Sequence, residues 1–238
     1  MKITTILFDL DGTLLPMDQD QFTNAYFKML CKRLVPHGYQ PENVVNGIWS
    51  GTKEMIKNDG KKSNEEVFWL KFKEFMGEDI EEKKPLFEDF YANEFQQVEN
   101  LCKKNPLAKI VVDKAKELGF RVVLATNPIF PHIATQSRAR WAGFDLEEFE
   151  FYTTYENAGY CKPNPDYYRF ILEKLNVKPE ECLMVGNDVE EDAMAAGSLG
   201  IRTFIVNDCI INKDNRDISH LPNGSFDDLL QYIQTINE

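Results

Sequence analysis

The chain has 238 residues, 43% of them hydrophobic and 28% charged, which is ordinary for a globular protein and long enough to bury its own core. Its 27 basic and 39 acidic side chains leave a net charge of -12, which argues against nucleic acid or an anionic membrane as partner, since both are held largely through Lys and Arg. A small anionic substrate is not excluded, because a bound divalent cation reverses the local field.

The opening stretch MKITTILFD predicts a short buried strand ending in a carboxylate, with turn chemistry at Asp11-Gly12-Thr13. The apolar run Ile6-Leu7-Phe8 stops at Asp9, too soon for a signal peptide, and nothing approaches the roughly 20 apolar residues that cross a bilayer. From about Asp18 to Phe95 the periodicity is helical. Phe22, Tyr26, Met29, Leu30 and Leu34 recur at helix spacing, as do Val45, Ile48, Thr52 and Met55. Ser63 and Glu66 form a capping box ahead of Val67, Phe68 and Phe72, and Leu86 to Tyr91 make a further helix after Pro85. Within this segment Asn46 to Lys53 holds Gly47 and Gly51. That predicts either a helix break presenting Trp49 and Lys53 to a substrate, or a simple kink with Trp49 in the interior.

Beyond about Pro106 helices and strands alternate. Helices are expected over 106–118, 131–141, 165–175, 192–199 and 226–236, and strands over 121–126, 149–153, 182–185 and 201–206. This alternation implies an α/β fold, a three-layer Rossmann-like core with a parallel sheet plus a small α-helical cap domain. The expected division is 1–15 and 96–238 for the core and 16–95 for the cap. Ligands of such sheets lie at the carboxyl ends of the strands, where the inserted helices emerge and act as a lid.

The chemistry-bearing residues fall at those ends. Asp9 and Asp11 follow the first strand: one carboxylate attacks phosphorus, and the other protonates the leaving alcohol and then activates water. Thr126 and Asn127 end the run Val122-Val123-Leu124-Ala125 and offer a hydroxyl and an amide to phosphoryl oxygens. Lys162 sits in a loop stiffened by Pro163 and Pro165, where its ammonium offsets negative charge. The run Gly186-Asn187-Asp188-Val189-Glu190-Glu191-Asp192 brings carboxylates for a hard cation such as Mg2+, which prefers oxygen ligands and retains waters. The isolated His37, His132 and His220 receive no role. Cys31, Cys102, Cys161, Cys182 and Cys209 have neither zinc nor disulfide spacing and are expected to be reduced thiols in a cytoplasmic protein.

These segments, in this order, resemble the haloacid dehalogenase-like hydrolase superfamily over residues 1 to about 15 and about 100 to 206. The resemblance implies Asp9 as nucleophile and Asp11 as general acid/base. It implies Mg2+ held by the Asp9 carboxylate, the Asp11 carbonyl and an acidic residue of the last motif, with Thr126, Lys162 and the helper Asn127 on the phosphoryl group. Where the family often has Gly-Asp, this chain has Gly186-Asn187, so Asp188 is taken as the metal ligand, assisted by Asn187 or Asp192 directly or through water. The implied activity is hydrolysis of a small-molecule phosphomonoester, the partner being a small phosphorylated metabolite and the chain a monomer or homodimer. A sugar-phosphate mutase shares the first half-reaction. A phospho-receiver module lacks both a leaving-group acid and a lid. Carbon-halogen chemistry needs no residue like Asp11, and Lys53 or Lys57 would be the Schiff-base candidates of a phosphonate-cleaving relative.

Overall fold

The computed structural model describes residues 2–238. Strand β1 (Thr5–Phe8) is buried along its whole length and pairs in parallel with β2 (Arg121–Leu124) and β4 (Cys182–Gly186). With β3 (Phe151–Tyr152), β5 (Arg202–Val206) and β6 (Asn223–Gly224) it forms one six-stranded sheet in the order β3-β2-β1-β4-β5-β6, all pairings being parallel. The chain winds from β1 outward through β2 and β3, then crosses back to β4 on the other side of β1. The switch point of the sheet therefore lies between β1 and β4, where ligands of doubly wound sheets bind.

Alternate residues of β1 feed opposite faces, as strand geometry requires. Ile6 and Phe8 belong to the same buried cluster as Val111 and Val112 of α5 (Pro106–Glu117), Ala134 of α6 (His132–Trp141) and Leu229 of α9 (Phe226–Thr235). Leu7 joins Tyr167, Tyr168 and Ile171 of α7 (Pro165–Leu175) and Ala195 of the short α8 (Ala195–Gly197). Helices thus cover both sides of the sheet, giving three layers. β6 carries no apolar run, only Asn223 and Gly224, and so had no periodic signal.

Between β1 and α5 lie α1 (Gln19–Leu34), α2 (Pro41–Ile56), α3 (Asn64–Met76) and α4 (Lys84–Ala92), followed by a 3-10 stretch Glu94–Leu101. The Ser63/Glu66 capping box opens α3 with both of its reciprocal bonds. An aromatic interior holds these helices together, with Phe68, Trp69, Phe72 and Phe87 meeting edge-on or stacked.

The expected break or kink at Asn46–Lys53 is absent, because α2 runs unbroken from Pro41 to Ile56. Gly47 and Gly51 instead let α3 approach. A Cβ at Gly47 would stand 2.9 Å from the Phe72 ring and one at Gly51 2.5 Å from the Phe68 ring, closer than carbon atoms tolerate. Trp49, on the other face, is 53% exposed and is not interior.

A second difference follows β4. The helix expected from Asp192 begins at Val189 as a π turn, Val189–Met194, and only then becomes α8. The Asp188 carbonyl accepts from Asp192 N at 2.9 Å and from Ala193 N at 3.4 Å, a widened turn of the kind that accommodates one extra residue.

Candidate active site

Asp9 is the first residue past β1, and its amide still donates to Val185 O at 2.9 Å, continuing the ladder. Its carboxylate is held from two sides: Lys162 Nζ donates to Oδ1 at 2.9 Å, and the Thr13 hydroxyl lies 3.1 Å from Oδ2. That hydroxyl is also 3.0 Å from Asn187 Oδ1, which ties the loop after β1 to the loop after β4. Gly12 makes the turn possible, with φ at +86° and a would-be Cβ only 2.4 Å from Asn187 Nδ2. A side chain there would be strained in its backbone and would also collide.

Lys162 is buried and sits between two carboxylates, donating to Asp192 Oδ1 at 2.7 Å as well as to Asp9. Burial works against its charge, but Asp192 and Asp9 outweigh it and hold the ammonium protonated. Asp192 is itself fully committed. Its Oδ2 accepts from the amides of Asn187 and Asp188 at 3.1 and 3.0 Å, and burial, opposed by Lys162, pushes its carboxyl up to about 7. Asn187 is committed too, its Nδ2 donating to Cys209 O at 2.7 Å. Both side chains line the cleft, and their bonds also brace the loop that carries Asp188.

Asp188 accepts through Oδ1 from the amides of Glu190 and Glu191 at 2.9 Å, capping the π turn. It borders the same cavity as Asp9, Asp11 and Glu191, a cleft of about 220 Å3. The donors at this end are oxygens, the chemistry that suits Mg2+. No group of three or more His, Cys, Asp or Glu side chains stands in metal-holding geometry among the described residues. The Asp9 and Asp188 carboxylates that border the cleft are the oxygen donors that such a cation would take along with water.

Thr126 is buried at the end of the run after β2 and lines the cleft, while its carbonyl accepts from Thr153 Oγ1 at 2.6 Å and Tyr167 OH at 2.9 Å. Asn127 spends its amide on protein: Oδ1 accepts from Lys162 N at 3.2 Å, and Nδ2 donates to Glu191 Oε2 at 3.1 Å. It thus holds the lysine loop against the acidic loop.

The Asp11 carboxylate is gripped through Oδ2 by Arg138 of α6, a buried guanidinium that also lies over the Phe130 ring at 4.4 Å. Oδ1 is buried without a partner. Burial raises the Asp11 pKa, Arg138 opposes the rise and Asp9 adds to it. A carboxyl pulled in these directions suits proton transfer.

Sequence reasoning missed Arg138 and Glu191. Glu191 stood inside the acidic run and was legible as part of it; Arg138 follows no motif and reaches Asp11 only because α6 packs there. Asn64 was likewise invisible: its Nδ2 donates to Pro128 O at 3.1 Å and Tyr160 O at 3.3 Å, pinning the start of α3 to two loops of the sheet domain.

A family model described as a haloacid dehalogenase-like hydrolase matches residues 3–200. The chain belongs to that family. Among curated proteins it is 26% identical over 206 residues to the pyrophosphatase PpaX of Bacillus cereus, covering 87% of this chain and 84% of that one. Among solved structures it resembles a HAD phosphatase from Thermococcus onnurineus, with a TM-score of 0.60, 19% identity and 98% and 97% of the two chains covered. A 2-haloacid dehalogenase from Pseudomonas syringae pv. Tomato gives a TM-score of 0.62 at 19% identity, covering 98% of each chain. Likenesses at this identity speak to the fold. No helix among the described residues is long and apolar enough to cross a membrane.

Proposed function

We propose that this hydrolase is a Mg2+-dependent phosphatase that cleaves small phosphomonoesters through a phosphorylated Asp9. The observation that carries this reading is the convergence on one cleft of Asp9, Asp11, Thr126 and Asp188, with Lys162 bonded to Asp9 from beneath. An Asp9 carboxylate oxygen attacks phosphorus while the bond to the leaving oxygen breaks, and Asp11 gives its proton to the departing alkoxide. Asp11 then takes a proton from water as that water attacks the aspartyl phosphate, which frees phosphate and restores Asp9. Lys162 offsets charge on the transferring group, and the Thr126 hydroxyl donates to a phosphoryl oxygen.

Mg2+ would be held by Asp9, the Asp11 carbonyl and Asp188, with Glu191 beside them, and would supply charge neutralisation for the phosphoryl oxygens. Helices 16–95 are read as the cap, closing the cleft from above. The name of the Bacillus cereus relative makes pyrophosphate a substrate to include in any screen.

The test is phosphate release from a panel of phosphorylated metabolites, with and without EDTA, alongside acid-quenched mass spectrometry of the Asp9 peptide. The reading expects Mg2+-dependent release and a phosphoryl adduct on that peptide. Turnover without any such adduct would remove the covalent step, and formation of an isomeric sugar phosphate in place of phosphate would mark a mutase.

A further inference from the structure

The cleft has two unlike ends. At the sheet end stand the carboxylates and, beneath them, the buried cations Lys162 and Arg138, both already paired. The wall opposite comes from α1 and α2 and carries no formal charge: Phe22, Phe27 and Trp49 present ring surface, and Gln19, Thr23 and Thr52 present neutral polar groups. Among the described residues that line the cleft, the one Lys or Arg is Lys213. Its backbone belongs to the loop whose Ile211 bonds to Asn187 and Val189, on the carboxylate side of the cleft, and neither α1 nor α2 contributes a cation to the lining.

Trp49 is the second observation. At 53% exposed it is the most open of the large hydrophobic side chains, and it lines this cleft. Its ring lies 5.4 Å from that of Phe27, tilted 46°, so the two adjoin as an angled aromatic shelf in which Trp49 supplies the open face. The close α2–α3 contact at Gly47 and Gly51 rigidifies the far side of the same helix, and the shelf is therefore held by packing and not by its own burial. Exposed aromatic surface facing a concave site is the usual platform for a flat ligand group.

We propose that the leaving group this cleft selects is an uncharged alcohol bearing a planar ring, seated on Trp49 and Phe27. The inference rests on the phosphatase reading and deepens it by naming the class of substrate. Once its phosphoryl group is at Asp9, pyrophosphate or a carboxylate-bearing ester directs a second anion at a wall without a cation. That anion gains no ionic partner there, while its hydration keeps it from stacking on the rings, so such substrates are disfavoured.

The test compares phenethyl phosphate with butyl phosphate, whose leaving alcohols are of similar acidity, and both with pyrophosphate and phosphoglycolate. Two readouts are used: kcat/KM of the Mg2+-loaded wild type, and calorimetric affinity for the Asp9→Asn protein, which needs no turnover. Phenethyl phosphate is expected to exceed butyl phosphate by about fivefold to tenfold in both, and in affinity to exceed by more the two compounds that carry a second anionic group. In Trp49→Ala the phenethyl-to-butyl ratio falls towards one, and in Trp49→Phe most of it returns. A ratio near one in wild type, a ratio untouched by Trp49→Ala, or tighter binding of pyrophosphate or phosphoglycolate than of phenethyl phosphate overturns the inference while leaving the hydrolase intact. Ring-selective binding without turnover of any ester would instead strike the phosphatase reading and leave the shelf standing.

Discussion

The sheet end and the helical wall of the cleft are built on opposite principles. The charges around Asp9 at the sheet end are bonded to protein: Lys162 to Asp9 and Asp192, Asp11 to Arg138, Asp188 to two amides. The helical wall offers rings and neutral polar groups, and its most prominent member, Trp49, is left open. Charges that must act on phosphorus have to be held still and dry, which only a shared, interlocked network does. A surface that merely sorts leaving groups needs shape and little else. The difference separates chemistry from selection along one cavity.

The sharpest way to break that contrast is at its sheet end. Asp9→Asn is expected to reduce phosphate release by more than about a thousandfold while circular dichroism stays native; a mild loss would detach Asp9 from the chemistry. Next in size is Arg138→Met, which strands the Asp11 carboxylate without its buried partner and is expected to cost about 3 kcal/mol in urea unfolding. An unchanged midpoint would mean that the ion pair holds nothing.

On the helical side the same helix gives two opposite expectations. Gly51→Ala drives a methyl into the Phe68 ring and should cost about 1–3 kcal/mol, read as a lowered thermal midpoint. Remote from both ends, Glu148 is bonded by Lys109 and Lys116 at 3.0 and 3.1 Å. Burial raises its pKa, but the two lysines and the Asp145 amide prevail and bring it from 4.5 down to about 2. A depressed folded pKa contributes stability above the unfolded value. The roughly 1 kcal/mol separating wild type from Glu148→Gln at neutral pH should therefore shrink as pH falls from 4.5 towards 2. A gap that is constant with pH would remove the linkage. Smallest of all, Trp49→Ala should move unfolding by less than about 0.5 kcal/mol, and a larger shift would make the shelf part of the core after all.

Much of this was readable along the chain because it is local. A capping box such as Ser63/Glu66 and the apolar β1 ending at Asp9 each depend on residues a few positions apart. Period, cap and turn chemistry are written at that range. The motif residues Asp9, Asp11, Thr126, Lys162 and Asp188 were legible for a related reason: each follows a strand in a parallel sheet, and parallel strands point their carboxyl ends the same way.

What the chain order alone could not carry was partnership across space. Gly47 and Gly51 look like helix breakers in sequence, and only the rings of Phe72 and Phe68 above them reveal a packing surface. Arg138 is an unremarkable helical residue until α6 lays it against Asp11, and Asp192 is one more carboxylate of an acidic run until Lys162 and two amides bond to it. The sequence by itself determined the family, five of the six strands and the motif residues that follow them, because periodicity and motif spacing encode them locally. The tertiary structure alone decided which of those residues brace the site and which face the cleft, because hydrogen bonds and packing between distant segments depend on distances that no spacing in the chain records.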